Sequence, residues 1–121
     1  MFSKLIIFLI LIFFLSVSAL KPTLLKLPKT SIFLQNSSTV FSCIVQTGNS
    51  PFRFEWFKNK EKIYKNSLRI LVSDLDNLST LTIRSMIPND SGKYSCFVYN
   101  SDGSDSVETI LQVQGLFSYG I

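Results

Sequence analysis

From residue 39 onward, apolar and polar side chains alternate with a period of two over short runs, and Gly, Asn, Asp and Pro separate the runs. That period places successive side chains on opposite faces, so the runs predict β-strands with one buried face. In 39–46, Phe41, Cys43 and Val45 fall on one face and Ser42, Ile44 and Gln46 on the other. In 52–57, Phe52, Phe54 and Trp56 oppose Arg53, Glu55 and Phe57, and the face carrying the tryptophan is the expected buried one. Further strands are expected at 68–72, at 80–84 with Leu81 and Ile83 inward, at 93–100, and at 107–113 with Val107, Leu111 and Val113 inward. The polar stretch 58–62 reads as a hairpin leading to a short edge strand at Ile63 and Tyr64. Residues 21–34 contain Pro22 and Pro28, which lack the amide hydrogen a central strand donates, so this stretch is expected as a broken edge strand. Turns are expected at 36–38 and 100–103, and a loop at 47–51. The chain reads as all-β, with no internal repeat.

The first residues follow a different pattern. Lys4 precedes eleven consecutive apolar residues at 5–15, and Ser16, Val17, Ser18 and Ala19 follow. A charged start, a short apolar run and small residues make a secretory signal peptide, with cleavage expected after Ala19. An uncleaved anchor is the alternative, but the run is shorter than the roughly 20 residues that span a bilayer. Loss of residues 1–19 leaves 102, enough for one domain at 20–114, with 115–121 a tail or the start of a further region. It also leaves eleven basic residues against eight acidic, a net +3 that gives no argument for nucleic acid. No second membrane-spanning segment follows, and the route implies an extracellular location, secreted or at the cell surface.

Cys43, Trp56 and the run Asp90-Ser91-Gly92-Lys93-Tyr94-Ser95-Cys96 are the points around which these strands are organised. With Trp56-Phe57-Lys58, Leu81-Thr82-Ile83, Asn100 and Gly103, they resemble an immunoglobulin-like domain of the intermediate set (I-set). The resemblance implies a two-sheet Greek-key sandwich whose sheets are joined by a Cys43–Cys96 disulfide, with Trp56 packed on the bridge and Tyr94 as a tyrosine corner. Two unrelated buried thiols are the alternative. In the chain-entropy model, such a bridge removes about 4 kcal/mol of unfolded-state freedom. Only 40 positions separate Trp56 from Cys96, little room for the extra edge strands of a variable-type domain. Lys26-Leu27-Pro28, the strand Pro51-Phe52-Arg53-Phe54-Glu55-Trp56 and the Asp90–Cys96 run also resemble the Dscam-like adhesion and immune receptors of arthropods. That family implies extracellular protein-protein recognition, homophilic or heterophilic, and the chain would then be the membrane-distal domain of a longer receptor. A complete single-domain secreted immune recognition factor or decoy, and a glycan-binding module, are the alternatives.

Chemistry changes this picture little. The chain has no histidine, and both cysteines are assigned to the bridge, so no catalytic, cofactor or metal site is expected and the protein is read as a non-enzyme. Asp74 and Asp76 read as a solvated turn rather than an acid pair, and Asp102 and Asp105 as a turn rather than a calcium site. Three sequons, at Asn36, Asn77 and Asn89, lie in expected loops and are candidate N-glycosylation sites, with an unmodified turn asparagine as the alternative for each. Phe57, Phe97, Tyr99 and Ile110 face outward on the sheet formed by 52–57, 93–100 and 107–113, and this face is the expected partner-binding surface. The competing reading is that Phe57 and Tyr99 cover each other under the stems of Lys58 and Lys93. Asn36 and Asn89 are expected at one pole and Asn77 at the other, leaving that face free of glycan. Lys58, Lys60, Lys62 and Lys65 could dock a sulfated glycan, or form a solvated hairpin.

Overall fold

The computed structural model describes residues 19–64 and 67–115. Nine strands are described: β1 (Thr23–Leu24), β2 (Thr30–Leu34), β3 (Thr39–Thr47), β4 (Arg53–Lys58), β5 (Glu61–Lys62), β6 (Ile70–Asp74), β7 (Leu78–Ile83), β8 (Gly92–Asn100) and β9 (Gly103–Gln114). A single 3₁₀ turn, Pro88–Asp90, joins β7 to β8. The strands form two sheets, ordered β1-β3-β7-β6 and β2-β9-β8-β4-β5, packed face to face. The leader expected at 1–19 lies outside the described residues apart from Ala19, as does the tail beyond Gly115.

The broken first strand has a clear physical outcome. Its first half, β1, pairs antiparallel with β3 in one sheet, whereas its second half, β2, pairs parallel with β9 in the other. Pro28 lies in the crossing between the halves, where no ladder bond is required of it.

The period-two alternation builds the core. Phe41 and Cys43 from β3, Leu81 and Ile83 from β7, Phe54 and Trp56 from β4, Tyr94, Cys96 and Val98 from β8, and Leu111 and Val113 from β9 are all buried between the sheets. Cys43 and Cys96 are bonded across this space, with Cα atoms 6.3 Å apart. The strand register sets Ser79 opposite Cys43 and Trp56 opposite Cys96. Trp56 Nε1 donates to Ser79 Oγ at 2.8 Å, so a hydrogen bond links β4 to β7 beside the disulfide that links β3 to β8. The fully buried indole N–H is thereby satisfied, which burial of a tryptophan requires.

Tyr94 also has the expected role. Its hydroxyl donates to the Asp90 carbonyl at 2.6 Å, tying the start of β8 back to the 3₁₀ turn. The Asp90 carboxylate is buried in that turn and accepts from the Ile87 amide and from the Arg69 guanidinium. Burial favours its neutral form, but Arg69 and the Ile87 amide outweigh that and hold the carboxyl below its ordinary value. Burial pushes the Tyr94 phenol well above its ordinary value, and the Asp90 charge adds to this.

Several boundaries differ from the sequence reading. The edge strand expected at Ile63 and Tyr64 is instead β5, Glu61–Lys62, because the hairpin is tighter than a 58–62 loop. Lys58 pairs directly with Glu61, leaving a two-residue turn with Asn59 and Lys60 at φ of 50° and 71°. Such left-handed pairs match the strand twist, and Asn59 Oδ1 accepts a hydrogen bond from the Lys93 backbone amide at 2.9 Å. The strand expected at 68–72 sits at Ile70–Asp74, and the one expected at 80–84 starts earlier, at Leu78. Asp74 therefore ends a strand rather than lying in a loop.

Candidate recognition face

The outer face of the five-stranded sheet is built from the positions that alternate with the core residues. On β4 these are Arg53, Glu55 and Phe57; on β8, Ser95, Phe97 and Tyr99; on β9, Ser104, Ser106, Glu108 and Ile110. Phe97 stands at the centre. Phe57 meets it edge to face with ring centroids 5.3 Å apart, and Tyr99 stacks on its other side at 6.4 Å. Both geometries are favoured by the ring quadrupoles. All three rings are half-buried.

The aromatic row ends in charge at both sides. At the Tyr99 end the Arg53 guanidinium lies 4.4 Å from the ring centroid, a cation-π contact. Arg53 and Lys62 both bond Glu55, and the Lys62 hydrogen bond is the main reason the Glu55 carboxyl lies below its ordinary value. At the Phe57 end a depression of about 300 Å³ is lined by Phe57, Lys60, Lys93, Ser95, Phe97 and Glu108. Lys93 and Glu108 form an ion pair at 2.9 Å on one of its walls. The site is thus an apolar strip with an ion pair at each end, Arg53 with Glu55 and Lys93 with Glu108, which suits contact with another surface.

Of the four residues expected to share this face, Phe57, Phe97 and Tyr99 are brought into contact. Ile110 lies on the same face but opposite Lys93, with the Lys93–Glu108 pair between it and the row. Its neighbours are instead β2 residues. Thr30 pairs with Ile110, and Ile32 and Leu34 are exposed on the same side. The residues 30–34 carry the alternation that gives this, Thr30, Ile32 and Leu34 against Ser31 and Phe33, but the sequence reading assigned the stretch no face. The alternative, Phe57 and Tyr99 covering each other under Lys58 and Lys93, forms only in part: each ring packs on Phe97, Lys93 borders the depression beside Phe57 and Phe97, and Lys58 Nζ donates to the Asn89 carbonyl at the pole. Arg53 over Tyr99 was not foreseen either, because a cation-π contact across two strands depends on register.

The hairpin lysines do not act as one cluster. Lys58 is bonded to Asn89 and Lys62 to Glu55, Lys60 borders the aromatic depression, and Lys65 lies outside the described residues. Three of the aspartates are engaged as well. Asp74 accepts from the Ser79 hydroxyl, Asp102 from the Leu20 amide and Asp105 from the Leu24 amide. Among the described residues, no group of three or more metal-ligating side chains comes together.

The three sequon asparagines are all exposed. The amide of Asn36 donates to the Met86 carbonyl, and Lys58 reaches Asn89, so these two share the pole formed by the β2–β3, β4–β5 and β7–β8 connections. Asn77 shares the opposite pole with Ser50 and Pro51, where the Asn100 side chain also bonds the carbonyls of Leu20 and Asn49.

Two packed sheets bridged beside a buried tryptophan, closed by a tyrosine corner, define an immunoglobulin-type sandwich. Residues 22–113 match the family model "Immunoglobulin I-set domain", and the chain belongs to that family. It is 37% identical over 86 residues to "Cell adhesion molecule Dscam1" of Drosophila melanogaster, a match spanning 70% of this chain and 4% of that protein. It is 29% identical over 87 residues to "M-protein, striated muscle" of Gallus gallus, spanning 72% of this chain and 6% of that protein. Among solved structures, the "I-band fragment I67-I69 from titin" superposes with a TM-score of 0.72 at 27% identity, covering 78% of this chain and 33% of that one. The chain therefore spans only a few per cent of the curated relatives' lengths. Those relatives include both an adhesion molecule and a muscle protein. Domains of this kind generally bind proteins, and no helix among the described residues is long and apolar enough to cross a membrane.

Proposed function

We propose that this domain is an extracellular protein-recognition module of Dscam-like adhesion type, binding a partner protein through the outer face of the five-stranded sheet. The observation that carries the reading is the row Phe57, Phe97 and Tyr99, three contiguous half-buried rings between Arg53 at one end and Lys60 and Lys93 at the other. Aromatic and arginine side chains dominate interface energetics, and rings pre-packed on one another lose little conformational freedom on binding. The signal-peptide pattern at 1–19 and the 37% identity to an adhesion molecule support the extracellular setting. The partner is a protein surface offering an apolar projection flanked by polar groups that can meet the Arg53–Glu55 and Lys93–Glu108 pairs. Catalysis plays no part in this reading.

Phe97→Asp tests it. Asp at the centre of the row places a charge where a partner's apolar group must sit, while its backbone position stays in the β8 ladder. Beads coated with the native domain are expected to aggregate with one another or to bind cells displaying the partner, and Phe97→Asp beads to do neither while retaining a cooperative melt. Undiminished bead or cell binding by the folded variant would remove this face as the site.

A further inference from the structure

The Asn77-Leu78-Ser79 sequon is built into the point where the two sheets are tied. Ser79 stands opposite Cys43, Trp56 stands opposite Cys96, and the disulfide and the Trp56–Ser79 hydrogen bond run side by side between the sheets. Ser79 has no exposed surface, and its hydroxyl is used in both directions: it accepts from the indole N–H and donates to Asp74 Oδ1. The backbone is held as well. The Asn77 carbonyl accepts from the Val45 amide at 2.9 Å, and the Leu78 carbonyl accepts from the Leu75 amide at 2.8 Å. Asn77 itself projects into solvent.

N-linked transfer reads the hydroxyl at the third sequon position together with the asparagine amide. In the folded domain that hydroxyl is unreachable. The Asn36 sequon differs, because Ser38 is exposed and accepts only a loop amide, from Ser85 at 3.1 Å. Ser91 of the Asn89 sequon is half-buried and accepts from the Val113 amide.

We propose that Asn77 is a glycosylation site that closes on folding, accepting its glycan only before the Cys43–Cys96 bridge draws Ser79 beneath the indole, whereas Asn36 stays open in the folded domain. This rests on the extracellular reading above, since the donor is a polyisoprenyl-diphosphate-linked oligosaccharide of the secretory pathway. In the transfer, the Asn77 amide nitrogen forms a bond to the sugar anomeric carbon, the bond from that carbon to the diphosphate oxygen breaks, the polyisoprenyl diphosphate leaves, and the amide gives up one proton. The folded domain can carry the product. Asn77 borders an open depression of about 860 Å³ lined also by Ser50, Pro51, Phe52 and Asp74, which leaves room for a first sugar outside the sandwich. Occupancy at Asn77 thus records a competition between transfer and closure of the sandwich.

The test offers the unglycosylated chain to oligosaccharyltransferase with lipid-linked donor in two states, refolded with its disulfide closed, and reduced with both thiols alkylated so that the fully buried Cys43 and Cys96 positions cannot close and the chain stays unfolded. Glycopeptide mass spectrometry reads each site. Asn36 is expected to be modified in both states, and Asn77 to be modified severalfold more in the unfolded one. Equal modification of Asn77 in both states, with Asn36 modified, overturns the inference and leaves the recognition reading untouched. No glycan on Asn77 in either state also overturns it, and the recognition reading then stands or falls on Phe97→Asp.

Discussion

Strand β8 carries two faces whose contents explain the molecule's two halves. Its inward side chains, Tyr94, Cys96 and Val98, have no exposed surface, and each polar atom among them has a fixed partner. Its outward neighbours Phe97 and Tyr99 are also aromatic or large, yet they remain half-exposed and are held only by ring contacts and an arginine. The difference is one of closure. The inner face is sealed by a second sheet, so its interactions set stability, whereas the outer rings cover one another only in part and leave surface for a partner. Substitutions on the two faces should therefore separate stability from binding.

The largest effect is expected from removing the bridge. Cys43→Ala/Cys96→Ala should lose about 4 kcal/mol of unfolding free energy, since the linked residues lie 53 apart, and urea denaturation of both proteins measures it. A loss below about 1 kcal/mol would mean the unfolded chain is compact without the bridge. Tyr94→Phe comes next. It leaves the buried Asp90 carbonyl without its donor and should cost about 2 kcal/mol in the same measurement, with no change in partner binding. Phe97→Asp reverses that pattern, costing about 1 kcal/mol of stability through lost ring contacts while abolishing binding. If Tyr94→Phe weakened binding as much as Phe97→Asp, the two faces would not be separable.

The smallest effects are those of pH; Lys62 holds Glu55 below its ordinary value on the outer face, and two buried groups are shifted on the inner side. The Asp90 carboxyl is held below its usual 3.8 in the folded state, so the stability it contributes is present above that value and is lost as pH falls through the lower folded value. Tyr94 is the opposite case. Its folded phenol titrates above the usual 10.0, so its contribution is complete below pH 10.0 and falls as pH rises beyond it, where the unfolded chain releases its proton first. Thermal melts from pH 2 to 11 should show a stability plateau between these limits, and Tyr94→Phe should make the alkaline decline shallower, leaving the part due to Lys62.

Much of this was legible from local pattern. Alternation alone assigned Phe41, Cys43, Phe54, Trp56, Leu81, Ile83, Leu111 and Val113 to the buried side, because a strand's period of two ties each residue's face to its neighbours. The resemblance supplied the bridge and the tyrosine corner. What was misread depended on atoms distant in sequence. The two-residue hairpin at Asn59 and Lys60 is set by Lys93 holding the Asn59 side chain, and nothing between 58 and 62 announces that clamp. The lysines looked like a cluster because they are close in sequence, but Lys58 bonds Asn89 and Lys62 bonds Glu55, partners from elsewhere in the chain. Ile110 looked like part of the aromatic row until register put Lys93 opposite it.

The sequence by itself determined the strands, the facing of the core, the I-set pattern and the set of candidate residues, all of which follow from spacing along one chain. Only the tertiary structure decided which of those candidates meet. Register between strands set Phe97 between Phe57 and Tyr99, sent the two halves of the first strand to different sheets, and buried the Ser79 hydroxyl under Trp56. The physical reason is that periodicity fixes the direction in which a side chain points, whereas its neighbours are fixed by which strands pair and at what offset, a choice made by the whole sandwich.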